Sequence, residues 1–511
     1  MGLSYGTGTT GENALFKKMY DDSIRVQVAE ETPIYDKLKA ANVTIPAGGS
    51  GFTFAIQGTS YGAVSATVPA SSGTYSGYTA LPKPTQPTNT QGSADYVQVF
   101  GTTVSSLDTQ MRTNKGNATA FAVALAYDLE TMVKGTMRQF NRMIVGNAVT
   151  HDLDGAGTVA GSSNITGVLG RVTATDAADT TKFGNGSTVG LVLADAAPNQ
   201  FMSGQQLVVG NVYSANSADI STTGTGISTD RRVKVVNVTV SSSGVPTVTV
   251  QTQTGDNFSN AAIGSNNIIA VGQNAQGATP STTLSPVNGY NREIISLDII
   301  GRNGTYGQTA APGVDATNTL CGINPSTYPA YTGFENRNWT AANGNQPRQL
   351  TSGLLNTFLT TYAVRNLNQL PDVLLFSPMQ LNAIQQAQTG VFQLQPVTNK
   401  GGGVDINAGG WTASTQTGKS KVIPYMMDSV CIDSTIYAIT FDGLKKTEAM
   451  PFGLLSYGFE GGGTNFFPNP LFPTAQERYF GAMTQLVPVR RAAVGKLSDL
   501  EVNWDGWAWS M

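Results

Sequence analysis

The sequence predicts an α+β fold that combines one long helix, an inserted β-domain and a mixed α/β region. Three observations support this prediction. Helical periodicity extends over residues 119–147, short alternating runs fill residues 151–291, and helical and apolar runs alternate over residues 292–440. In chain order, the predicted segments are an N-terminal arm (1–45), an extended excursion (46–95), a domain with the long helix (96–150), the inserted β-domain (151–291), the α/β domain (292–440), and strands that return to the helix domain followed by a C-terminal tail (441–511).

The arm contains one short helix and one motif that we discount. The stretch PIYDKLKAA is predicted to be a short helix. Thr32 can cap it, Pro33 suits the first helical position, and Ile34 and Leu38 form its apolar side. The spacing Gly6-x-Gly8-x-x-Gly11 matches a dinucleotide fingerprint, but no strand precedes it, so we expect no nucleotide site. The first residues lack the pattern of a signal peptide.

The excursion is predicted to be a projecting hairpin. GGSGFTFAIQGTSYGAVSATVPA alternates apolar and small or polar residues, as in a strand pair. The next stretch, SSGTYSGYTALPKPTQPTNTQGS, is too rich in Pro, Gly, Ser and Thr to bury much surface. The chain then returns as a strand at residues 96–100. We expect another subunit to stabilise so long an excursion.

The long helix, here called the spine helix, organises the rest of the chain. Its apolar positions recur every three or four residues and therefore form one stripe. Glu130 and Lys134 have the spacing of a favourable ion pair. The residues of the stripe are Phe121, Leu125, Leu129, Met132, Thr136, Phe140 and Met143.

The inserted segment contains neither Glu nor Trp and is predicted to be a small β-barrel or sandwich. Its short strands are separated by frequent turn signals. Asp152-x-Asp154-Gly155 resembles the start of a calcium loop, but no Glu follows to close it, so we expect no metal there. The predicted strands are residues 191–193, 206–209, 233–240, 245–250 and 268–271.

The α/β region is predicted to begin with a strand at residues 293–300. Thr351 or Ser352 then caps a helix, GLLNTFLTTYAVRNL, and a buried strand follows at residues 373–376. Ser377 lies at a strand-to-helix turn, but Phe376 and Pro378 replace the glycines of a nucleophile elbow, so we interpret it as an N-cap.

The rest of the chain is predicted to be mainly strands. They are expected near residues 421–424, 436–441 and 478–502, and the last of these should pack beside the spine helix. Trp504, Trp507 and Trp509 lie close together near the end of the chain. Three such large apolar side chains should dock on protein rather than stay in water.

Composition excludes several classes of protein. Charged residues make up 12% of the chain and the net charge is −3, so no broad basic surface is available for nucleic acid. Lys445-Lys446 and Arg490-Arg491 are isolated basic pairs. No apolar run is long enough to span a membrane. Cys321 and Cys431 could form a disulfide, although two buried free thiols fit better.

No catalytic, cofactor-binding or metal-binding residues can be named. His151 is the only histidine, so a zinc site rich in histidine is impossible. Asp21-Asp22 and Glu30-Glu31 lie next to polar residues and are interpreted as solvated faces. The chain is therefore predicted not to be an enzyme and to need no cofactor.

The order of these segments resembles the major capsid protein of tailed bacteriophages, the Hong Kong 97-type fold. The stretches that carry the resemblance are YVQVFGTTVSSLDTQM before the helix, CGINPSTYPAYTGFENRNW, PDVLLFSPMQLNAI and SVCIDSTIYAITFDGLKK. The resemblance implies that 46–95 is the E-loop, that the spine helix and the C-terminal strands form the peripheral domain, and that 292–440 is the axial domain. The inserted β-domain departs from the minimal family pattern.

The resemblance also implies a function and partners. The chain would assemble in the host cytoplasm as hexamers and pentamers into the icosahedral capsid of the virion, which encloses dsDNA without sequence-specific binding. Portal and scaffolding proteins, and also decoration proteins, are the partners it suggests, and no membrane is involved. Some family members crosslink through an E-loop lysine, but Lys83 alone, without a defined Asn and Glu partner, does not establish this. The alternatives are an encapsulin-like compartment and a β-rich surface-layer or adhesin protein.

Overall fold

The computed structural model describes part of the chain, in the ranges given at the end of this paragraph. All structural statements below concern these residues. They are 33–40, 44–46, 51–57, 89–106, 118–146, 168–175, 188–194, 197–211, 231–241, 246–252, 267–271, 293–302, 320–323, 328, 331–337, 347–389, 410–414, 420–455, 467–468 and 475–502.

Helices and strands are mixed along the chain, as the α+β prediction requires. The helices are α1 Pro33–Ala40, α2 Ala118–Val145, α3 Leu297–Gly301, α4 Ser352–Arg365 and α5 Pro378–Thr389. The strands are β1 Thr44–Pro46, β2 Gly51–Gln57, β3 Asn89–Asp95, β4 Val97–Ser106, β5 Val168–Thr175, β6 Thr188–Ala194, β7 Gln206–Asn211, β8 Arg231–Val240, β9 Pro246–Thr252, β10 Asn267–Val271, β11 Phe334–Asn336, β12 Val373–Phe376, β13 Gly410–Ser414, β14 Ser420–Met427, β15 Ile436–Ile439, β16 Leu444–Leu454, β17 Phe467–Pro468, β18 Ala475–Pro488 and β19 Val494–Leu497.

The described residues fall into two compact units. The helix unit comprises the described parts of Gln98–Asn141 and Glu448–Thr484. The large unit comprises those of Pro33–Val97, Arg142–Thr447 and Gln485–Met511.

The spine helix is confirmed as α2. It has 28 residues and is therefore about 42 Å long at 1.5 Å per residue. The predicted stripe is buried at Met132, Thr136 and Phe140. The expected ion pair is also present, because Lys134 Nζ lies 2.6 Å from Glu130 Oε1. Both side chains of that pair are partly exposed, so the pair stabilises the helix by less than about 1 kcal/mol.

Aromatic rings and close backbone contacts organise the helix unit. Phe452 on β16 packs edge-on against Phe140 of the helix, at 4.8 Å between ring centroids, and lies 5.8 Å from Phe480 of β18. Strand β4 pairs with β18, and Gly481 permits their close approach. A Cβ at Gly481 would overlap the Val99 carbonyl oxygen and the ring of Phe100.

A six-stranded mixed sheet forms the centre of the large unit, in the order β11-β19-β15-β12-β14-β13. Strand β12 pairs in parallel with β14 and antiparallel with β15. Helices α4 and α5 pack on this sheet through an apolar core that includes Phe358, Tyr362, Leu374 and Phe376. Thr351 caps α4 by accepting a hydrogen bond from the Leu354 amide, which decides between the two predicted caps.

A closed six-stranded barrel, in the order β10-β5-β6-β9-β8-β7, occupies the stretch predicted to be all-β. The five strands predicted there are confirmed, and β5 is an additional strand. Aliphatic side chains and one aromatic ring fill the barrel, as expected where side chains alternate inward along each strand. The core residues are Leu169, Leu191, Leu193, Phe201, Leu207, Val233, Val235, Val238, Val248 and Val250.

The predicted strand at residues 293–300 is wrong. Ser296 instead caps the short helix α3 by accepting a hydrogen bond from the Ile299 amide. Apolar Ile and Leu residues over so short a stretch fit either a buried strand or a buried helix, and the cap decides between them.

The predicted return of residues 478–502 to the spine helix is wrong for part of that range. Strand β18 does supply Phe480 to the ring cluster of the helix unit. Strand β19, however, lies between β11 and β15 in the sheet of the large unit.

The predicted excursion also differs in detail from the structure. Strand β2 pairs with β3, so the returning strand begins at Asn89 rather than at Tyr96.

Several predictions lie outside the described residues. They concern the glycine motif near the N-terminus, the paired acids of the arm, the tip of the excursion with Lys83, His151, the rejected calcium loop and the C-terminal tryptophans. The side chains of the stripe before Met132 also lie outside the description. The described part of α1 agrees with its prediction, since Ile34 and Leu38 are both fully buried.

Two glycine substitutions should change stability in opposite directions. Gly481→Ala is expected to lower the free energy of unfolding by about 1–3 kcal/mol, because its Cβ meets backbone and ring atoms of β4. Gly135→Ala, in the interior of α2 with open space around it, should raise it by about 0.5–1 kcal/mol. Urea denaturation followed by circular dichroism measures both, and a shift in the same direction would contradict the packing described for β4 and β18.

Candidate functional site

The most unusual feature of the large unit is a set of charged side chains that are buried beside its sheet. Three neighbouring strands place Glu335, Lys496 and Tyr437 in one row. Glu335 of β11 is in register with Lys496 of β19, and Lys496 is in register with Tyr437 of β15. Residues paired in register lie on the same face of a sheet, so their side chains meet. We call these residues, together with Asp298 and Arg302, the ionic centre.

Asp298 on α3 is the hub of the ionic centre. Its Oδ1 lies 2.6 Å from Lys496 Nζ and accepts a hydrogen bond from the Tyr437 hydroxyl at 3.0 Å. Its Oδ2 accepts a hydrogen bond from Arg302 Nη2 at 3.0 Å. Lys496 Nζ also lies 3.6 Å from Glu335 Oε1, and neither of these side chains is exposed.

The surrounding cations keep both carboxylates ionised. Burial alone works to raise the pKa of Asp298, but Lys496 and Arg302 outweigh it and hold the pKa below its usual value. The pKa of Glu335 is likewise lowered, because Lys496, Arg337 and Arg302 together outweigh its burial. Both acids therefore stabilise the folded state above their unfolded-state pKa values, and this contribution is lost as pH falls through the lowered ones.

Arg491 holds the C-terminal end of α3. Its guanidinium donates hydrogen bonds to the carbonyl oxygens of Ile300 at 3.1 Å and Arg302 at 2.9 Å. Carbonyl groups at the C-terminal end of a helix have no hydrogen-bond donors within the helix. The guanidinium of Arg491 provides the donors that they lack. Although Arg490-Arg491 is an isolated basic pair in the sequence, Arg491 is fully buried and offers no charge to nucleic acid.

The last turn of the spine helix, residues 142–145, belongs to the large unit and meets this region. Gly146 ends the helix with φ of +130°, and a Cβ there would overlap Asp298 and approach Ser296. Arg142 is buried and paired with Glu293. Only glycine satisfies both the backbone conformation and the space beside Asp298.

A second contact joins the barrel to the sheet region. The 3-10 turn Pro198–Gln200 faces the loop after β14, residues 428–435, here called the docking loop. Asn199 Nδ2 donates hydrogen bonds to the carbonyls of Ser429, at 2.9 Å, and Cys431. Gln200 Nε2 donates to the carbonyl of Val430, and Ala197 packs on Ile432. We call this contact the barrel seam.

The docking loop contains a buried carboxyl group whose environment differs from that of the carboxylates in the ionic centre. Asp433 is 7% exposed and hydrogen-bonded to Ser377, the residue that caps α5. Burial raises the pKa of Asp433 to about 7, and the hydrogen bond with Ser377 offsets only part of this effect. The N-cap interpretation of Ser377 is confirmed, because its Oγ accepts a hydrogen bond from the Gln380 amide at 3.2 Å.

These groups form no catalytic constellation. The carboxylates of the ionic centre are paired with cations and are closed to solvent, so neither is available as a general base to a substrate. Within the described ranges, no cluster of three or more His, Cys, Asp or Glu residues could hold a metal ion. No helix among the described residues is both long and apolar enough to cross a membrane.

The two cysteines are free thiols, which settles the alternative left open by the sequence. Cys431 is buried as expected, whereas Cys321 is only partly buried. Burial raises the pKa of the Cys321 thiol to about 11. A thiol with so high a pKa is a poor nucleophile near neutral pH.

The ionic centre escapes sequence reasoning because its members are far apart in the chain. Lys496 stands in the apolar strand Val494–Leu497, and this is the one local signal of a buried charge. Its partner Asp298 comes from α3, for which the sequence predicts a strand, and Glu335 comes from β11, which is distant from Lys496 in the chain. No site residue is predicted from the sequence, and the ionic centre is structural in character.

Comparison with known proteins gives similarity at the level of structure. No family model matches the chain, and no curated protein matches its sequence. The capsid of cyanophage A-1(L) is 12% identical, with 94% of this chain and 96% of that chain covered and a TM-score of 0.49. The capsid of a native GTA particle is 9% identical, with 98% and 99% covered and a TM-score of 0.36.

The predicted resemblance to phage capsid proteins agrees with these matches. An encapsulin from Synechococcus elongatus is 13% identical, but the match covers only 33% of this chain and 52% of the encapsulin, with a TM-score of 0.20. None of the three similarities reaches a TM-score of 0.5, so they do not establish a function for this chain.

Removing the central cation should destabilise the large unit strongly. Lys496→Met leaves Asp298 and Glu335 buried with less positive charge, and we expect a loss of about 3–5 kcal/mol in the free energy of unfolding. The matched control is Lys421→Met, which breaks the exposed pair with Asp372 and should cost less than about 1 kcal/mol. Urea denaturation compares the two, and equal losses would contradict the central role of Lys496.

Asp433→Asn should stabilise the protein in a pH-dependent way. Because its pKa is raised in the folded state, Asp433 keeps its proton there at pH values where the unfolded chain has already lost it. The stability of the wild type therefore falls as pH rises from about 4 to about 7. The variant lacks this loss and should gain about 2–4 kcal/mol over wild type at about pH 8, with little gain at about pH 4. Thermal melts across this range test it, and an equal gain at both pH values would contradict the assignment.

Proposed function

We propose that this chain is a major capsid protein of a tailed bacteriophage, with a structural and non-enzymatic role. The observation that carries the proposal is the order of the elements. A β-ribbon leads through β4 into a long spine helix, a closed barrel follows, and a mixed sheet with two covering helices comes next. This is the order on which the sequence resemblance to the Hong Kong 97-type fold rests, with the barrel as the inserted domain.

The β-ribbon supports a role in assembly. Strands β2 and β3 form a two-stranded sheet of their own. Isolated hairpins are marginally stable in water, so such a ribbon needs further contacts. The ring of Phe54 lies 6.4 Å from that of Tyr331, and the Ser93 amide donates to the Cys321 carbonyl at 3.0 Å. We propose that this ribbon is the base of the E-loop and that a neighbouring subunit covers its outer part.

Exposed apolar side chains support the same role. Val364 lies in the last turn of α4 and Leu367 follows that helix, and they are 52% and 71% exposed. Leu367 has φ of +54°, a left-handed conformation that is strained for a residue with a side chain. Val422 and Met427 on β14 are also exposed. We propose that these apolar side chains become buried when subunits associate.

The proposal includes the partners and the location. Subunits would form hexamers and pentamers in the host cytoplasm, and the shell would enclose dsDNA in the virion. The low charge content and net charge of −3 suit a container that should not hold DNA tightly. Portal, scaffolding and decoration proteins would be further partners.

Electron microscopy tests the proposal. The chain should be expressed alone and with its neighbouring reading frames, and negative-stain images should show closed shells or six-membered rings. A stable monodisperse monomer under both conditions would contradict the proposal. Shells that contain a packaged enzyme rather than nuclease-protected DNA would favour an encapsulin-like compartment.

Leu367→Asp should reduce assembly without unfolding the subunit. The substitution places a charge on an exposed apolar position, where it should disfavour burial between subunits. The control is Thr357→Asp, at an exposed polar position of α4. We expect the fraction of protein in shells to fall at least about tenfold for Leu367→Asp only, which corresponds to about 1.4 kcal/mol. Sedimentation measures this fraction, and equal assembly of both variants would remove Leu367 from the contact.

A further inference from the structure

Among the described residues, the barrel seam is mainly polar. Its donors are the side-chain amides of Asn199 and Gln200, and its acceptors are three successive backbone carbonyls of the docking loop. Ala197 and Ile432 form its apolar cluster among the described residues. Because hydrogen bonds require a defined geometry, these bonds depend on the conformation of the loop that presents the carbonyls.

The docking loop is held by hydrogen bonds on both sides of the seam. Within the loop, the Cys431 amide donates to the Asp428 carbonyl at 3.1 Å, and the Thr435 amide donates to the Ile432 carbonyl at 3.0 Å. From α5, Gln380 Nε2 donates to the Asp433 carbonyl at 2.8 Å. Loop residues on either side of Ile432 are therefore coupled to the seam through the backbone.

Asp433 is the group in this loop that can change its charge near neutral pH. It is adjacent to Ile432 and buried, with Ser377 as its side-chain partner. None of the described groups around the loop supplies a positive charge to an ionised Asp433. These groups are Ser377 and Gln380 from α5, Asn199 and Gln200 from the barrel, Asp428 and Cys431 from the loop itself, the carbonyl of Glu501, and Asp298 of the ionic centre, whose negative charge acts on Cys431.

We propose that the docking loop is a pH-dependent clasp for the barrel: it holds the barrel while Asp433 is protonated and releases it when Asp433 ionises. An ionised carboxylate needs several hydrogen-bond donors or water, and one serine hydroxyl does not replace them. Movement of Asp433 toward water displaces Ile432 and the Cys431 carbonyl next to it, which are both contacts of the seam. The inference does not depend on the proposed capsid function.

Hydrogen exchange of the full chain, measured by mass spectrometry at about pH 5.5 and about pH 8.5, tests the clasp. Rates are corrected for the intrinsic pH dependence of exchange. In the wild type, peptides that cover residues 197–205 and the docking loop should lose at least about tenfold in protection at the higher pH. Peptides from β9 in the barrel and from β12 in the sheet should keep their protection, because the barrel and the sheet stay folded when the seam opens.

Three variants make the test specific. Asp433→Asn should show equal protection of the seam at both pH values, whereas Asp442→Asn, at an exposed acid, should behave like the wild type. The double variant Asn199→Ala with Gln200→Ala should lack seam protection at both pH values and keep it in β9. Seam protection that does not change with pH in the wild type, pH dependence that persists in Asp433→Asn, or loss in β9 and β12 together with the seam would each overturn the proposal.

Discussion

The buried ion pair between Lys496 and Asp298 is the interaction on which the large unit depends. A lysine and two carboxylates closed to solvent are stable only if each is neutralised and hydrogen-bonded. The strand register supplies Glu335 and Tyr437 to this lysine, and α3 supplies Asp298. Any other register of β19 would leave the lysine without its partners and two acids buried without a cation. The observed strand order and register are therefore the ones that pair the buried charges.

The neighbouring elements are arranged around this centre. Arg491 satisfies the carbonyls at the end of α3, and Gly146 lets the last turn of the spine helix lie against Asp298. Helices α4 and α5 cover the sheet through a separate apolar core. The barrel has its own apolar core and, among the described residues, meets the sheet region through the seam.

Local patterns predict the elements well, but not the contacts between distant segments. The spine helix, the N-caps Thr351 and Ser377 and five barrel strands follow from periodicity and turn chemistry, which act over a few residues. Residues 293–300 are misassigned from the sequence because a short apolar run does not distinguish strand from helix. The burial of Lys496 and Arg491 cannot be predicted in this way, because it depends on long-range contacts such as that of Arg491 with Ile300, 191 positions away.

A protein that builds a shell needs a well-ordered subunit and surfaces that are incomplete on their own. In the proposed capsid role, the ionic centre and the apolar core would provide the first, and the ribbon and the exposed side chains at the end of α4 and on β14 would provide the second. Mass photometry of the purified chain is the most direct measurement of this account. The account predicts discrete species of five and six copies of the 53.5 kDa chain, together with much larger closed particles. A single species at the mass of one chain at every concentration would contradict it.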